Sequence, residues 1–301
     1  MNIVVMSAFL GQCRPIVSHI VNRIQREHVI CKFVRMDEVY EVPEPWDWRR
    51  VFKLTACKLL NIFERHLFYP GWYRTRDRKI HECLFGNNAL PPLPDTIAIP
   101  STLLNDPSTG DLLRLLETDV LVVCGLPLLK PHIFQVPKIA TINVHLGLAP
   151  KYRGIHTVFW PLFKRDYENI GVTIHRIDTG VDTGPIMAHG LPAIEPNDCE
   201  ASLLSKMAVL AGDAVTAYLH NPTDKLLPQE QLGPQEPLYL YSHRRIWHDL
   251  ALNLRRRFAN EKCRVLPDRT VYYFMSPKND TVSPIRPIAV DKPPPPQAAG
   301  H

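Results

Sequence analysis

Asn143 and His145 stand two residues apart in an otherwise apolar run, so an extended chain projects both from one face. Some 30 residues on, Asp178-Thr179-Gly180-Val181-Asp182-Thr183-Gly184-Pro185 places two acids in a loop with two glycines and a proline. An amide, an imidazole and a carboxylate suit acyl transfer to an amine. The Asn143 amide can donate to a developing oxyanion. His145 titrates near neutrality and can accept the proton of an attacking amine. A carboxylate can fix the imidazole tautomer and stabilise its charged form. Neither acid is singled out by its spacing, so Asp178 and Asp182 both stand as candidates. No Ser or Cys occupies a nucleophile elbow, which favours direct transfer between bound substrates over a covalent enzyme intermediate. Taken singly, each residue has a plainer structural reading, since Asn and Asp-x-Gly are ordinary turn formers.

These residues need strands to carry them. Ile3 to Met6, a helix over residues 15–26, and Val29 to Val34 open the chain as strand, helix, strand, which predicts a parallel α/β sheet. Further strands are predicted at Thr96 to Pro100, Asp119 to Cys124, Ile139 to Val144 and Gly171 to Ile177, with a helix from Gly110 to Glu117. Asn143 and His145 then lie at the carboxyl end of a parallel strand, where open α/β sheets place their ligand crevice. Asn197-Asp198-Cys199-Glu200 reads as a capping box. The apolar-periodic helix behind it runs to Asn221-Pro222.

Residues 43–94 break this rhythm. Trp46, Trp48, Phe52, Leu59, Leu60 and Phe63 interleave with Arg49, Arg50, Lys53, Lys58 and Arg65, an amphipathic basic helical insertion closed by Pro70-Gly71. It packs on its own domain, or meets a partner or a membrane surface. The expected organisation is therefore a Rossmann-like α/β domain over 1–222, mostly parallel with helices on both faces. A linker and small basic appendage follow over 223–290, with a disordered proline tail at 291–301. In the appendage, Arg255-Arg256-Arg257 reads as a solvated helix face, with contact to RNA phosphate as the alternative.

Composition narrows the function classes. The 301 residues are 45% hydrophobic and 22% charged, a globular balance. The net charge of +5, with a pI near 8.8, is too weak to argue nucleic-acid binding. No apolar run approaches the ~20 residues of a membrane span. The N-terminus lacks signal-peptide features. Seven scattered cysteines without a C-x-x-C pair read as reduced thiols in a cytoplasmic protein. No metal site is expected.

The strings Asn143-Val144-His145-Leu146-Gly147-Leu148-Ala149-Pro150-Lys151-Tyr152-Arg153-Gly154 and Gly171-Val172-Thr173 to Asp178-Thr179-Gly180-Val181-Asp182-Thr183-Gly184 resemble the folate-dependent formyltransferase family. That family includes methionyl-tRNA, glycinamide ribonucleotide and sugar-nucleotide N-formyltransferases. The likeness is dense from about Asp119 to Leu219. It implies a domain that binds 10-formyltetrahydrofolate as co-substrate and passes its formyl group to a primary amine. By position, Asn143, His145 and Asp182 match the family's catalytic trio; only this alignment chooses Asp182 over Asp178. Leu126, Pro127, Leu128 and Leu129, with Asp178, match the folate-binding segment. Tyr152, Arg153 and His156 are acceptor-side candidates, with His175 behind them; His156 and Thr157 are expected to open the next helix. The loop at 7–12 lacks Gly-x-Gly-Ser-Asn, which disfavours a ribonucleotide acceptor. The weak strand signal after Leu219 disfavours the β-barrel appendage of methionyl-tRNA formyltransferases, and with it tRNA. What remains is a small amine, an amino-sugar nucleotide or an amino-acid-derived amine. A methionyl-tRNA formyltransferase, a 10-formyltetrahydrofolate hydrolase and a non-catalytic folate- or metal-binding module are the alternatives.

Overall fold

Two strands with every residue buried, β1 (Ile3–Ser7) and β4 (Val120–Cys124), lie side by side and in parallel at the centre of the sheet. Apolar residues at successive positions are what a strand covered on both faces requires. Accordingly, Ile3 and Val5 face one core, and Val4 and Met6 face the other. The computed structural model describes residues 1–8, 13–37, 69–222, 226, 236–258 and 262–273.

Outward from that pair run β2 (Ile30–Asp37) and β3 (Thr96–Pro100) on one side, and β5 (Ala140–His145) on the other, all parallel. Three further strands, β6 (Val172–Arg176), β7 (Ile186–Leu191) and β8 (Arg269–Tyr272), add antiparallel, giving the order β3-β2-β1-β4-β5-β6-β7-β8. The strand order turns at β1 and β4, and open α/β sheets bind ligands outside the carboxyl ends of strands at such a switch point. The mostly parallel Rossmann-like expectation thus holds. Strand β7 escaped the sequence reading because His189 and Gly190 interrupt its apolar pattern. After Leu219, where strand signal is weak, β8 joins this same sheet by pairing with β7.

Helices α1 (Cys13–Gln25), α2 (Tyr69–Phe85) and α6 (Glu200–His220) cover one face and pack on one another. Gly212 lets α1 and α6 approach closely; a Cβ there would sit 3.0 Å from Arg23 Cβ. The other face carries α3 (Pro107–Leu115) and α4 (Pro131–Phe134). The expected Gly110–Glu117 helix starts earlier because Asp106 caps it, accepting from the Ser108 N–H at 2.9 Å, with Pro107 at the first position.

Four expectations need correction. Pro70 and Gly71 do not close a helix; they lie in the first turn of α2, where a missing N–H costs nothing. Residues 38–68, the bulk of the anticipated insertion with its Trp46 and Trp48, lie outside the described residues, as does the 291–301 tail. The helix after Thr157 is α5 (Phe159–Lys164), which starts beyond His156. Finally, the cap of α6 uses Cys199 and Ser202, the Cys199 N–H donating to Ser202 Oγ at 2.9 Å. Glu200 is thereby released for another task. Helix α7 (Ile246–Phe258) docks on α5: Arg255 stacks 4.7 Å over Phe163 and donates to its carbonyl, and Arg256 donates to the Asp198 carbonyl. Two of the three arginines expected on a solvated face therefore pack inward.

Candidate active site

Strand β5 delivers Asn143 and His145 to one side of the sheet, and its antiparallel register with β6 sets His175 opposite Asn143. Directly paired residues of antiparallel strands share a face. The Asn143 amide donates to His175 Nε2 at 3.1 Å, and His175 Nδ1 donates to the Arg176 carbonyl at 2.7 Å. A carbonyl can only accept, so the pair of bonds sets the His175 tautomer.

The acid that completes the wall comes from the loop after β6. Asp178 Oδ1 accepts from the Gly180 N–H at 3.0 Å and the Thr183 hydroxyl at 2.6 Å, so its first task is to shape that loop. Gly184 is obligatory, since a Cβ would lie 1.9 Å from the Arg176 carbonyl. Within this turn Asp182 adopts φ +51°, a conformation Asp tolerates better than most residues. Its carboxylate spans the site. Oδ1 accepts from Asn143 Nδ2 at 3.2 Å and lies 3.5 Å from His175 Nε2. Oδ2 accepts from the Gly154 N–H at 2.9 Å and lies 3.4 Å from His145 Nδ1. Burial alone would raise the Asp182 carboxyl, but His145, His175 and the Gly154 amide together hold it well below the usual carboxylate range.

His145 is buried, with 7% of its surface exposed. Its Nε2 donates to the Tyr152 carbonyl at 2.8 Å, so the neutral ring has its basic lone pair on Nδ1, beside Asp182. Burial lowers its pKa below 6.5, against the raising influence of Asp182. The contact depends on Gly147, where a Cβ would come within 2.5 Å of His145 Nε2 and 2.6 Å of the Tyr152 carbonyl.

These groups form one wall of a cavity of about 890 Å³ at the carboxyl ends of β1, β4 and β5. Leu126, Pro127, Leu128, Leu129 and Asp178 line it too, so the trio and the anticipated cofactor segment share one space. Asn105 braces that segment, donating to the Leu128 carbonyl at 2.9 Å and accepting from the Lys130 N–H at 2.7 Å. Leu129 is buried in the core while Leu128 remains half exposed, giving the segment an anchored apolar edge.

The acceptor-side candidates divide. His156 lines the cavity; Tyr152 and Arg153 do not. Tyr152 is a core residue, 1% exposed, its ring stacked on Tyr239 and its hydroxyl donating to Asp166 Oδ2 at 2.8 Å. Arg153 braces the Asp182 loop instead, donating to the carbonyls of Val181 and Glu236 at 3.3 and 3.0 Å.

Sequence reasoning missed a buried ion cluster beside this wall. Arg244 makes a bidentate pair with Glu200 at 3.0 and 2.9 Å and donates to Asp249 Oδ1 at 2.6 Å. Arg76 reaches the same Glu200 at 3.2 Å. The Arg244 guanidinium lies 4.2 Å over Trp72 and 3.7 Å over Phe159. Burial would raise the Glu200 carboxyl, but the two guanidiniums bring it down to about 2. No local spacing announces such a cluster, because its members come from α2, α6, α7 and the segment before α7. Among the described residues, no group of three or more His, Cys, Asp or Glu is placed to hold a metal ion, and no helix is long and apolar enough to cross a membrane.

Residues 75–219 match the family model described as formyl transferase. A methionyl-tRNA formyltransferase of Thermosynechococcus vestitus is 34% identical over 137 residues, 45% of this chain and 40% of that protein. One from Dehalococcoides mccartyi is 28% identical over 218 residues, 68% of this chain and 67% of that protein. The chain thus spans about two fifths of the first of these curated relatives. Among solved structures, phosphoribosylglycinamide formyltransferase of Bacillus halodurans is 18% identical, with a TM-score of 0.47, over 75% of this chain and 96% of that one. A sugar N-formyltransferase from a Shewanella species is 12% identical, with a TM-score of 0.46, over 92% and 99%. At those scores the two structures add nothing to the site geometry.

Proposed function

We propose that this chain, whose residues 75–219 match the family model described as formyl transferase, is a folate-dependent formyltransferase that transfers the formyl group of 10-formyltetrahydrofolate to a primary amine of a small acceptor. The observation that carries this reading is the meeting of Asn143, His145 and Asp182 in a cavity that the apolar segment 126–129 also lines.

The amine lone pair attacks the formyl carbon while His145 Nδ1 accepts the amine proton. The resulting imidazolium has both N–H groups placed, one on the Tyr152 carbonyl and one facing Asp182. That pairing draws the Asp182 charge toward His145 and releases an Asn143 N–H from Asp182 to the developing oxyanion. As the bond from the formyl carbon to N10 of the folate breaks, the proton held by His145 goes to that nitrogen. The products are the N-formyl amine and tetrahydrofolate. Leu126 to Leu129 and Asp178 are the residues that would hold the folate, the apolar edge for its ring and the carboxylate for a ring N–H.

Support for a small acceptor comes from the C-terminal segment. It adds β8 to the main sheet and lays Tyr239 against the loop at Gly154, with the Ile155 N–H donating to the Tyr239 carbonyl at 2.9 Å. Methionyl-tRNA as acceptor is the second reading, favoured by the names of the curated relatives. Incubation with 10-formyltetrahydrofolate and either methionyl-tRNA or a panel of small amines tests both. Formylation of small amines without tRNA is expected; transfer to methionyl-tRNA alone would replace the first reading by the second.

A further inference from the structure

The two groups that manage the proton, His145 and Asp182, are both held by the backbone of the loop after β5. His145 Nε2 donates to the Tyr152 carbonyl at 2.8 Å, and the Gly154 N–H donates to Asp182 Oδ2 at 2.9 Å. Side chains held by one loop are placed only as well as that loop is. Gly154, at φ +93°, belongs to the residue type with the greatest backbone freedom, so it adds no stiffness of its own. The loop must be fixed by what packs against it.

Tyr239, which lies beyond the family-matched residues 75–219, packs there. Its N–H donates to the Arg153 carbonyl at 3.0 Å and its carbonyl accepts from the Ile155 N–H at 2.9 Å, a parallel bridge that brackets Gly154. A Cβ on Gly154 would collide with that carbonyl. The Tyr239 ring stacks on Tyr152, with centroids 5.5 Å and planes 18° apart, and on Trp160, at 5.4 Å and 26°. Its hydroxyl accepts from Lys164 Nζ at 2.6 Å. Arg153 ties the same segment to the turn of the acid, donating to the carbonyls of Glu236 and Val181 at 3.0 and 3.3 Å. One residue thus touches the supports of both groups. Its ring lies on the residue whose carbonyl holds the imidazole, and its backbone brackets the residue whose amide holds the carboxylate.

We propose that Tyr239 is a positioning residue for formyl transfer, holding His145 and Asp182 at their working separation by clamping Tyr152 and Gly154. This rests on the formyl-transfer reading above. Tyr239→Ala removes the ring and loosens the bridge, whereas Tyr239→Phe keeps the ring and loses only the bond from Lys164. Small misplacements of reacting groups are costly, so kcat in Tyr239→Ala is expected to fall at least about 30-fold. Binding of a non-reactive folate analogue should stay within about threefold, because the folate segment 126–129 is not part of the clamp. In Tyr239→Phe, kcat should remain within about threefold of the unaltered protein.

The pH profile separates positioning from a general loss of structure. Burial lowers the His145 pKa, while Asp182 and the Tyr152 carbonyl raise it, and His175 and Arg153 also face the ring. Slackening either support should therefore move the acidic limb of kcat/KM to lower pH in Tyr239→Ala. Should that variant not fold, Tyr239→Leu, which fills part of the space, takes its place in the same comparison. A kcat within about threefold of the unaltered protein, an acidic limb that stays or moves up, or equal losses in the alanine and phenylalanine variants would each overturn the proposal. Failure of both the alanine and leucine variants to fold would make Tyr239 a folding residue and overturn it too. If the unaltered protein binds no folate analogue, or formylates neither small amines nor methionyl-tRNA, the formyl-transfer reading falls instead, and this inference with it.

Discussion

Asp182 Oδ2 lies 3.4 Å from His145 Nδ1, while the opposite nitrogen of the same ring donates to the Tyr152 carbonyl at 2.8 Å. The imidazole thus has one nitrogen committed to the backbone and one beside a carboxylate held in its ionised form. The second nitrogen is where a proton can be taken up with its countercharge already in place.

Replacing Asp182 by Asn keeps the shape and removes that countercharge. Turnover should fall on the order of 10³-fold or more, by analogy with triad carboxylates. Asp182 raises the His145 pKa, so its loss should also move the acidic limb of the kcat/KM profile to lower pH. In the unaltered protein that limb should lie below pH 6.5, because burial favours the neutral ring. A pH–rate profile of both proteins checks the two statements, and a limb above pH 6.5 would contradict the assignment.

Gly147→Ala introduces a methyl group within 2.5 Å of His145 Nε2 and of Thr157 Cβ. Overpacking of this kind costs about 1–3 kcal/mol. The larger effect expected is on catalysis, with kcat reduced at least about 100-fold as the ring is pushed off the Tyr152 carbonyl. Thermal denaturation and steady-state kinetics separate these contributions.

The ion cluster predicts a stability that depends on acid. Glu200 sits near 2 in the folded chain against 4.5 ordinarily, so its contribution is fully present above pH 4.5 and is lost as pH falls toward 2. That difference corresponds to about 3 kcal/mol. Arg244→Met, which leaves Glu200 without its bidentate partner, should cost about 3–5 kcal/mol at neutral pH. Denaturant unfolding at pH 7 and pH 3 measures both effects. The pH-dependent loss should shrink in Glu200→Gln.

Much of the site was legible because its chemistry is local. Asn143 and His145 share a face by strand alternation alone, and the glycines of residues 178–184 announce a tight loop. The choice of Asp182 over Asp178 was not legible from residue types, since both are acids in one turn. Their division of labour arises from the turn itself: Asp178 binds Gly180 and Thr183, whereas Asp182, at positive φ, turns toward the strands. Tyr152 misled because a conspicuous aromatic beside the site contributes its backbone carbonyl, not its ring. Glu200 was read as part of a cap because the guanidiniums that pair with it, Arg244 and Arg76, lie 44 and 124 residues away. On the fold side, apolar runs located the central strands, while β7 was hidden by its own histidine and glycine.

The most direct test of formyl transfer through this wall uses 10-formyltetrahydrofolate labelled in its formyl group, followed into the N-formyl product in a single turnover with the preferred amine. His145→Ala should bind a non-reactive folate analogue within about threefold of the unaltered protein, yet lose on the order of 10³-fold or more in transfer. Label passing to the amine at an unchanged rate in His145→Ala would contradict the mechanism.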